Sequence, residues 1–225
     1  MLDADGHYFA LLLPLLAACA SPTRDGAGAA PASRPQQTET EASAPALPAE
    51  ARAVIEFWRG AGPSLWFAQD PEFDRRFRER FADAHAAAAR GELSRWGQRA
   101  DGALALILLL DQYPRNAFRG TPRMYATDAL ARAEAERAVA AGFDRTVAPE
   151  LQAFVLLPFG HSESLADQER SVALCRRLGS PNLEHAEHHR DIVRRFGRFP
   201  HRNAILGRAS TDAERAYLAN GGYQG

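Results

Sequence analysis

The sequence predicts an all-α protein, and three observations carry that expectation. Apolar residues recur at helical spacing, most clearly at Val54, Phe57 and Trp58 and at Phe73, Phe77 and Phe81. Residues that start and stop helices bracket these runs, as Asp70-Pro71 and Gly91 do. No apolar–polar alternation of useful length marks a strand.

In chain order, Tyr8 to Ala18 is an apolar run too short to cross a bilayer but as long as a signal-peptide core, and it ends at Leu16-Ala17-Ala18-Cys19. That tetrapeptide resembles the lipobox of bacterial lipoproteins, whose cysteine becomes lipidated. Asp3 and Asp5 and the absence of a basic residue run against an export leader. The apolar run, the lipobox and the linker that follows together read residues 1–19 as a leader with Cys19 as the lipidation site, the acidic start standing against it. The expected location is the cell envelope if the leader is genuine, and the cytoplasm otherwise. Residues 20–50 hold small and polar residues with Leu47 as the one large apolar side chain, so they read as a disordered linker.

From residue 51 to 222 the pattern is helical throughout. A short amphipathic helix ends near Gly60, and a second runs from Asp70-Pro71 toward Gly91. Asp101 caps a third, ALALILLLDQ, whose continuous apolar run places it at the centre of the core and whose end is expected at Pro114. Arg115 to Arg123 then reads as a loop. Thr127 or Asp128 caps a helix stopped by Gly142, and Pro149 opens another that Pro158 is expected to break. Leu165 to Leu178 forms a helix, Ser180-Pro181 starts the next, and that one stops at Gly197. Ser210 or Thr211 caps a last helix to Ala219. The expectation is about eight helices joined by short loops.

Composition excludes several functions. All 27 basic residues are arginine, which removes Schiff-base chemistry and a P-loop lysine. With a net charge of -1 and a pI near 6.7, no global field favours nucleic acid, and an anion must be bound locally. Cys19 and Cys175 lack metal-ligand spacing. No cofactor is implied.

The most unusual stretch is His189 to Asn203, HRDIVRRFGRFPHRN, which mixes imidazole, guanidinium and amide groups with Phe196 and Phe199. Phenylalanines that pin a segment to a core leave its polar groups to line a pocket. On this helix His185, His189, Ile192 and Phe196 share one face. A metal needs a third ligand that the spacing does not supply, so no metal site is expected and the histidines read as hydrogen-bonded at a packed edge. Arg115, Asn116, Arg119, Arg198, His201, Arg202 and Asn203 suit carboxylate or phosphate oxygens, although the arginines could equally bridge Asp111, Glu163, Asp167 and Asp191. His161-Ser162-Glu163 sets a hydroxyl between a base and an acid, but without the final glycine of a nucleophile elbow; Ser162 could as well be a helix cap.

The segments LLLDQYPRN, RGTPRMYATD, HSESLADQERSVAL and HRDIVRRFGRFPHRNAILGR together resemble the bacterial domain-of-unknown-function 924 family, over roughly Ala51 to Leu218. Gly160 stands where that pattern leads one to expect methionine. The resemblance implies a TPR-like helical fold and no established activity; no TPR-type period is evident in the sequence itself. The functional expectation is one polar pocket built by Arg115, Asn116, His161, Glu163, His189, Arg198, His201, Arg202 and Asn203. It would bind a small anion or an acidic group of a protein partner. The alternative is a hydrolytic or metal-dependent enzyme using His161, Glu163, His189 and His201.

Overall fold

A computed structural model describes residues 46–225. The leader, the Cys19 lipobox and most of the expected linker lie outside the described residues. Among the described residues the chain is helical and contains no strand, and no helix is long and apolar enough to cross a membrane.

Helix α1 (Ala49–Ala61) buries Ala51, Val54, Ile55 and Trp58. Leu47, just ahead of it, packs on the same core. After a single helical turn, α2 (Pro63–Trp66), comes α3 (Pro71–Ala89), whose first turn is closed by Asp70 Oδ1 accepting from the Phe73 N–H at 2.8 Å. The four-residue spacing of Phe73, Phe77 and Phe81 turns all three rings inward, and Phe57 stacks on the first two at 5.4 and 5.2 Å.

The centre of the core is α4 (Ala100–Ile107), where Leu104 and Ile107 are fully buried beside Leu108 and Leu109. It packs against α1, α6 (Asp128–Ala140) and α7 (Gln152–Gly160). Asp101 lies in its first turn, while Arg99 occupies the cap position. Pro114 does not end this helix. A π turn (Leu108–Gln112) widens the backbone and passes directly into α5 (Tyr113–Ala117), with Pro114 in its first turn. Arg115 and Asn116 are therefore helical rather than in a loop.

Side chains supply the donors that a proline and a widened turn take from the backbone. The carbonyls of four consecutive residues each accept from one: Leu109 from His85 Nδ1 at 2.9 Å, Leu110 from Thr127 Oγ1 at 2.5 Å, Asp111 from Arg115 Nη1 at 2.9 Å, and Gln112 from Asn116 Nδ2 at 2.8 Å. Leu110 stands four residues before Pro114, so its carbonyl faces the residue that has no N–H to offer.

Pro158 likewise sits inside α7, which runs two residues further to Gly160. The chain then forms α8 (Leu165–Cys175) and α9 (Asn182–Phe196), which pack closely together, with Gly197 in the left-handed conformation closing α9. A 3-10 turn (Pro200–Arg202) precedes α10 (Asp212–Ala219). The last helix opens with a reciprocal capping box between Thr211 and Glu214.

Candidate functional site

The π turn aims Asp111 into a cluster at the ends of α5 and α7. Its carboxylate is fully buried, with Oδ1 at 2.8 Å from His161 Nδ1 and 3.1 Å from Arg115 Nη1, and Oδ2 accepting from Gln112 Nε2 at 2.6 Å. Burial alone would push its pKa up. The charge of Arg115, with the hydrogen bonds from His161 and Gln112, outweighs that and holds it well below the usual carboxylate range.

Arg115 is saturated. Besides Asp111, its guanidinium forks onto both oxygens of Asp128 at 2.8 and 3.1 Å. Arg202, brought in by the 3-10 turn after α9, is placed differently. Its Nη2 donates to the His161 carbonyl at 2.9 Å, its contact with Asp128 is long at 3.4 Å, and its Nε is buried without a partner. The group lies over the rings of Tyr125 and Phe199 at 4.5 and 4.6 Å. Burial, and then the neighbouring charge of Arg115, lower its pKa, which marks a cation short of negative charge.

His201, His189 and Arg202 all pack on the Phe199 ring. Nδ1 of His201 is buried without a partner, and its ring contacts those of Phe199 and Tyr223. His189 approaches the Gly160 carbonyl at 3.3 Å through Nδ1 and packs against the same two rings. Burial pushes both histidines down to a pKa of about 3, so both are neutral at pH 7. His161 is also lowered, by burial first and Arg115 second. Gly160 matters here because a Cβ on it would lie 3.3 Å from Ser171 Oγ and 3.7 Å from His189 Nδ1. The methionine expected from the family pattern would crowd that approach.

The structure thus brings Arg115, His161, His189, His201 and Arg202 together. The other four sequence candidates support them or face elsewhere. Glu163 accepts from the Phe199 N–H at 2.8 Å and from both ends of the Arg208 fork at 2.7 and 2.9 Å, so it holds the turn that carries His201 and Arg202. Asn203 is fully buried between Arg208 and Ser210. Asn116 is turned toward the Gln112 carbonyl and toward Arg119, which itself pairs with Asp74. Arg198 forks onto Glu214 at 2.6 and 2.9 Å beside an open hollow of about 470 Å³ that Arg195, Phe196 and Thr211 also line. Its guanidinium is occupied there.

Of the carboxylates weighed as arginine partners, Asp111 takes Arg115, Glu163 takes Arg208, Asp167 takes Arg132, and Asp191 takes Arg190 and Arg194. Among the described residues no group of three ligating side chains is placed to hold a metal. In the sequence Asp111 reads only as a structural bridge, and Asp128, Tyr125, Arg208 and Tyr223 are not among the candidate site residues. Asp111, Asp128, Tyr125 and Arg208 stand inside the quoted motifs, whose order in the chain was the available signal. Ser162 donates to Asp167 at 2.7 Å and accepts from the Ser164 N–H in the turn before α8, so its hydroxyl hydrogen is directed to Asp167 rather than to His161.

Fold and site together define an all-helical domain whose buried Asp–His–Arg cluster is assembled from two helix ends and a 3-10 turn. The chain belongs to a family described as "Bacterial protein of unknown function (DUF924)", which matches residues 54–222. It is similar to a solved protein of unknown function from Agrobacterium tumefaciens, at 54% identity and a TM-score of 0.74, over 76% of this chain and 97% of that one. No curated protein matches the chain.

Proposed function

We propose that the cluster binds the acid group of a small anionic ligand, or of a protein partner, with Arg202 as its principal donor. The observation that carries this reading is the buried Nε of Arg202, which has no partner although the residue is only 6% exposed. An unpaired N–H on a buried cation costs roughly 1–3 kcal/mol, and a carboxylate or phosphate oxygen removes that cost. The adjacent unpaired Nδ1 of His201 adds a second polar position on the same turn. Tyr125 and Phe199 supply the apolar walls that strengthen a charge-assisted bond by excluding water. A TPR-like stacking of helix pairs is part of the same proposal, because such scaffolds present ligand sites at their concave faces and helix ends.

Titration with inorganic phosphate and with acetate, read by thermal unfolding, tests the site. At 100 times its dissociation constant a ligand raises stability by roughly 2.7 kcal/mol. Arg202→Met abolishes the shift, and His201→Leu weakens it should the first variant fold poorly. Arg198→Ala leaves it intact, since that guanidinium is taken by Glu214. A full shift in Arg202→Met moves the ligand elsewhere.

A further inference from the structure

His161 offers a chemically distinct atom within the same cluster. It stands at the C-terminal end of α7, and its ring makes one hydrogen bond among the described residues, from Nδ1 to Asp111. An ionised carboxylate only accepts, so Nδ1 carries the proton and Nε2 keeps its lone pair. Asp111 is held in place by Gln112 and Arg115 and sits on the π turn, a distortion found often at functional positions. The desolvation of a fully buried carboxylate must be offset by several partners, and His161 is one of the three that Asp111 has here. The imidazole is 15% exposed, so it is shielded but reachable. Arg202 donates to the backbone carbonyl of this same residue at 2.9 Å, which holds the anion donor within one residue's length of the imidazole.

We propose that Nε2 of His161 is the proton acceptor of this site. Its substrate is a small carboxylate- or phosphate-bearing molecule with an O–H group close to its acid group. The acid group lies on Arg202, so the inference rests on the anion-binding reading. In the step, the substrate O–H bond breaks, its electron pair stays on oxygen, and the proton forms an N–H bond at Nε2. Asp111 stays ionised, fixes the ring tautomer and offsets the imidazolium charge. Ser162 donates to Asp167 rather than to His161, so it does not supply this O–H.

Bromoacetate tests this on the full chain without knowledge of the natural substrate. Its carboxylate suits Arg202 and its electrophilic carbon is one bond away; Nε2 forms a C–N bond to that carbon, bromide leaves, and the Nδ1 proton passes to solvent. Peptide mapping is expected to find the label on His161. Bromoacetate should react there at least about ten-fold faster than neutral bromoacetamide, because docking raises the local concentration of the reacting carbon. Inorganic phosphate slows the reaction, and Asp111→Asn lowers its rate in protein shown by its melting curve to be folded. The wild-type comparison stands even where that variant fails to fold. An unlabelled His161 in protein that phosphate still stabilises overturns the proton-acceptor assignment and leaves the anion site standing. Labelling at equal rates by both reagents, with no protection by phosphate, overturns the anion site on which the assignment depends.

Discussion

Arg115 and Arg202 converge on Asp128, yet the structure gives them opposite duties. Arg115 is 15% exposed and every one of its acidic contacts is close, so it neutralises Asp111 and Asp128 rather than waiting for a ligand. Removing it leaves a fully buried Asp111 carboxylate without its cation. Arg115→Ala is therefore expected to cost about 3–5 kcal/mol of stability in urea unfolding. A loss below about 1 kcal/mol would mean that Asp111 is solvated or protonated in the native state. No residue type distinguishes the two arginines in the sequence. Each stands beside an asparagine in a proline-containing stretch, and only the count of close acceptors separates them.

At the scale of elements, the segment from Ala100 to Ala117 carries both the core and the site. Beyond the exposed Asp101 its α4 half is buried and apolar because it is surrounded, and its π turn converts that buried rod into a platform for Asp111. The rod also fits closely against the 3-10 turn Ser94–Gln98, where a Cβ on Gly102 would fall 2.0 Å from the Trp96 carbonyl oxygen. Gly102→Ala must move backbone rather than a flexible side chain. Its expected cost is roughly 1–3 kcal/mol or more, against the gain that alanine gives in an open helix, and a thermal melt decides the sign. The sequence shows Gly102 only as a helix-weakening residue near a start.

For the whole molecule, the buried histidines set the response to acid. His189 and His201 have folded pKa values of about 3, below the unfolded value near 6.5. Below 6.5 the unfolded chain binds protons that the native chain refuses, so stability is full above that pH and falls as the pH drops toward 3. At pH 5 the loss is on the order of 2 kcal/mol for each of the two. The depressed carboxyls of Asp111 and Glu214 work in the same direction but only below about 4.5, so the fall between pH 6.5 and 5 belongs to histidine. His189→Gln should flatten the melting-point profile across that window. An unaltered slope would assign it to other groups.

Helix class, helix order and most boundaries were legible in the sequence because they follow from local chemistry. The phenylalanine spacing of α3, the Asp70 cap, Gly142, Gly197 and the Thr211 cap each act within a few residues of themselves. The two prolines misled for the same local reason. Pro114 and Pro158 break helices in isolation, but the carbonyl opposite Pro114 is satisfied by Thr127 from another helix, a partner that no local pattern supplies. Arg115, His161, His189, His201 and Arg202 could be singled out in the sequence by residue type alone. Which of them are spent on carboxylates, and which atoms are left over, was decided by the tertiary structure. Asp111 and His161 are 50 residues apart and Asp128 and Arg202 are 74 apart, and their meeting depends on how α5, α6, α7 and the turn after α9 pack.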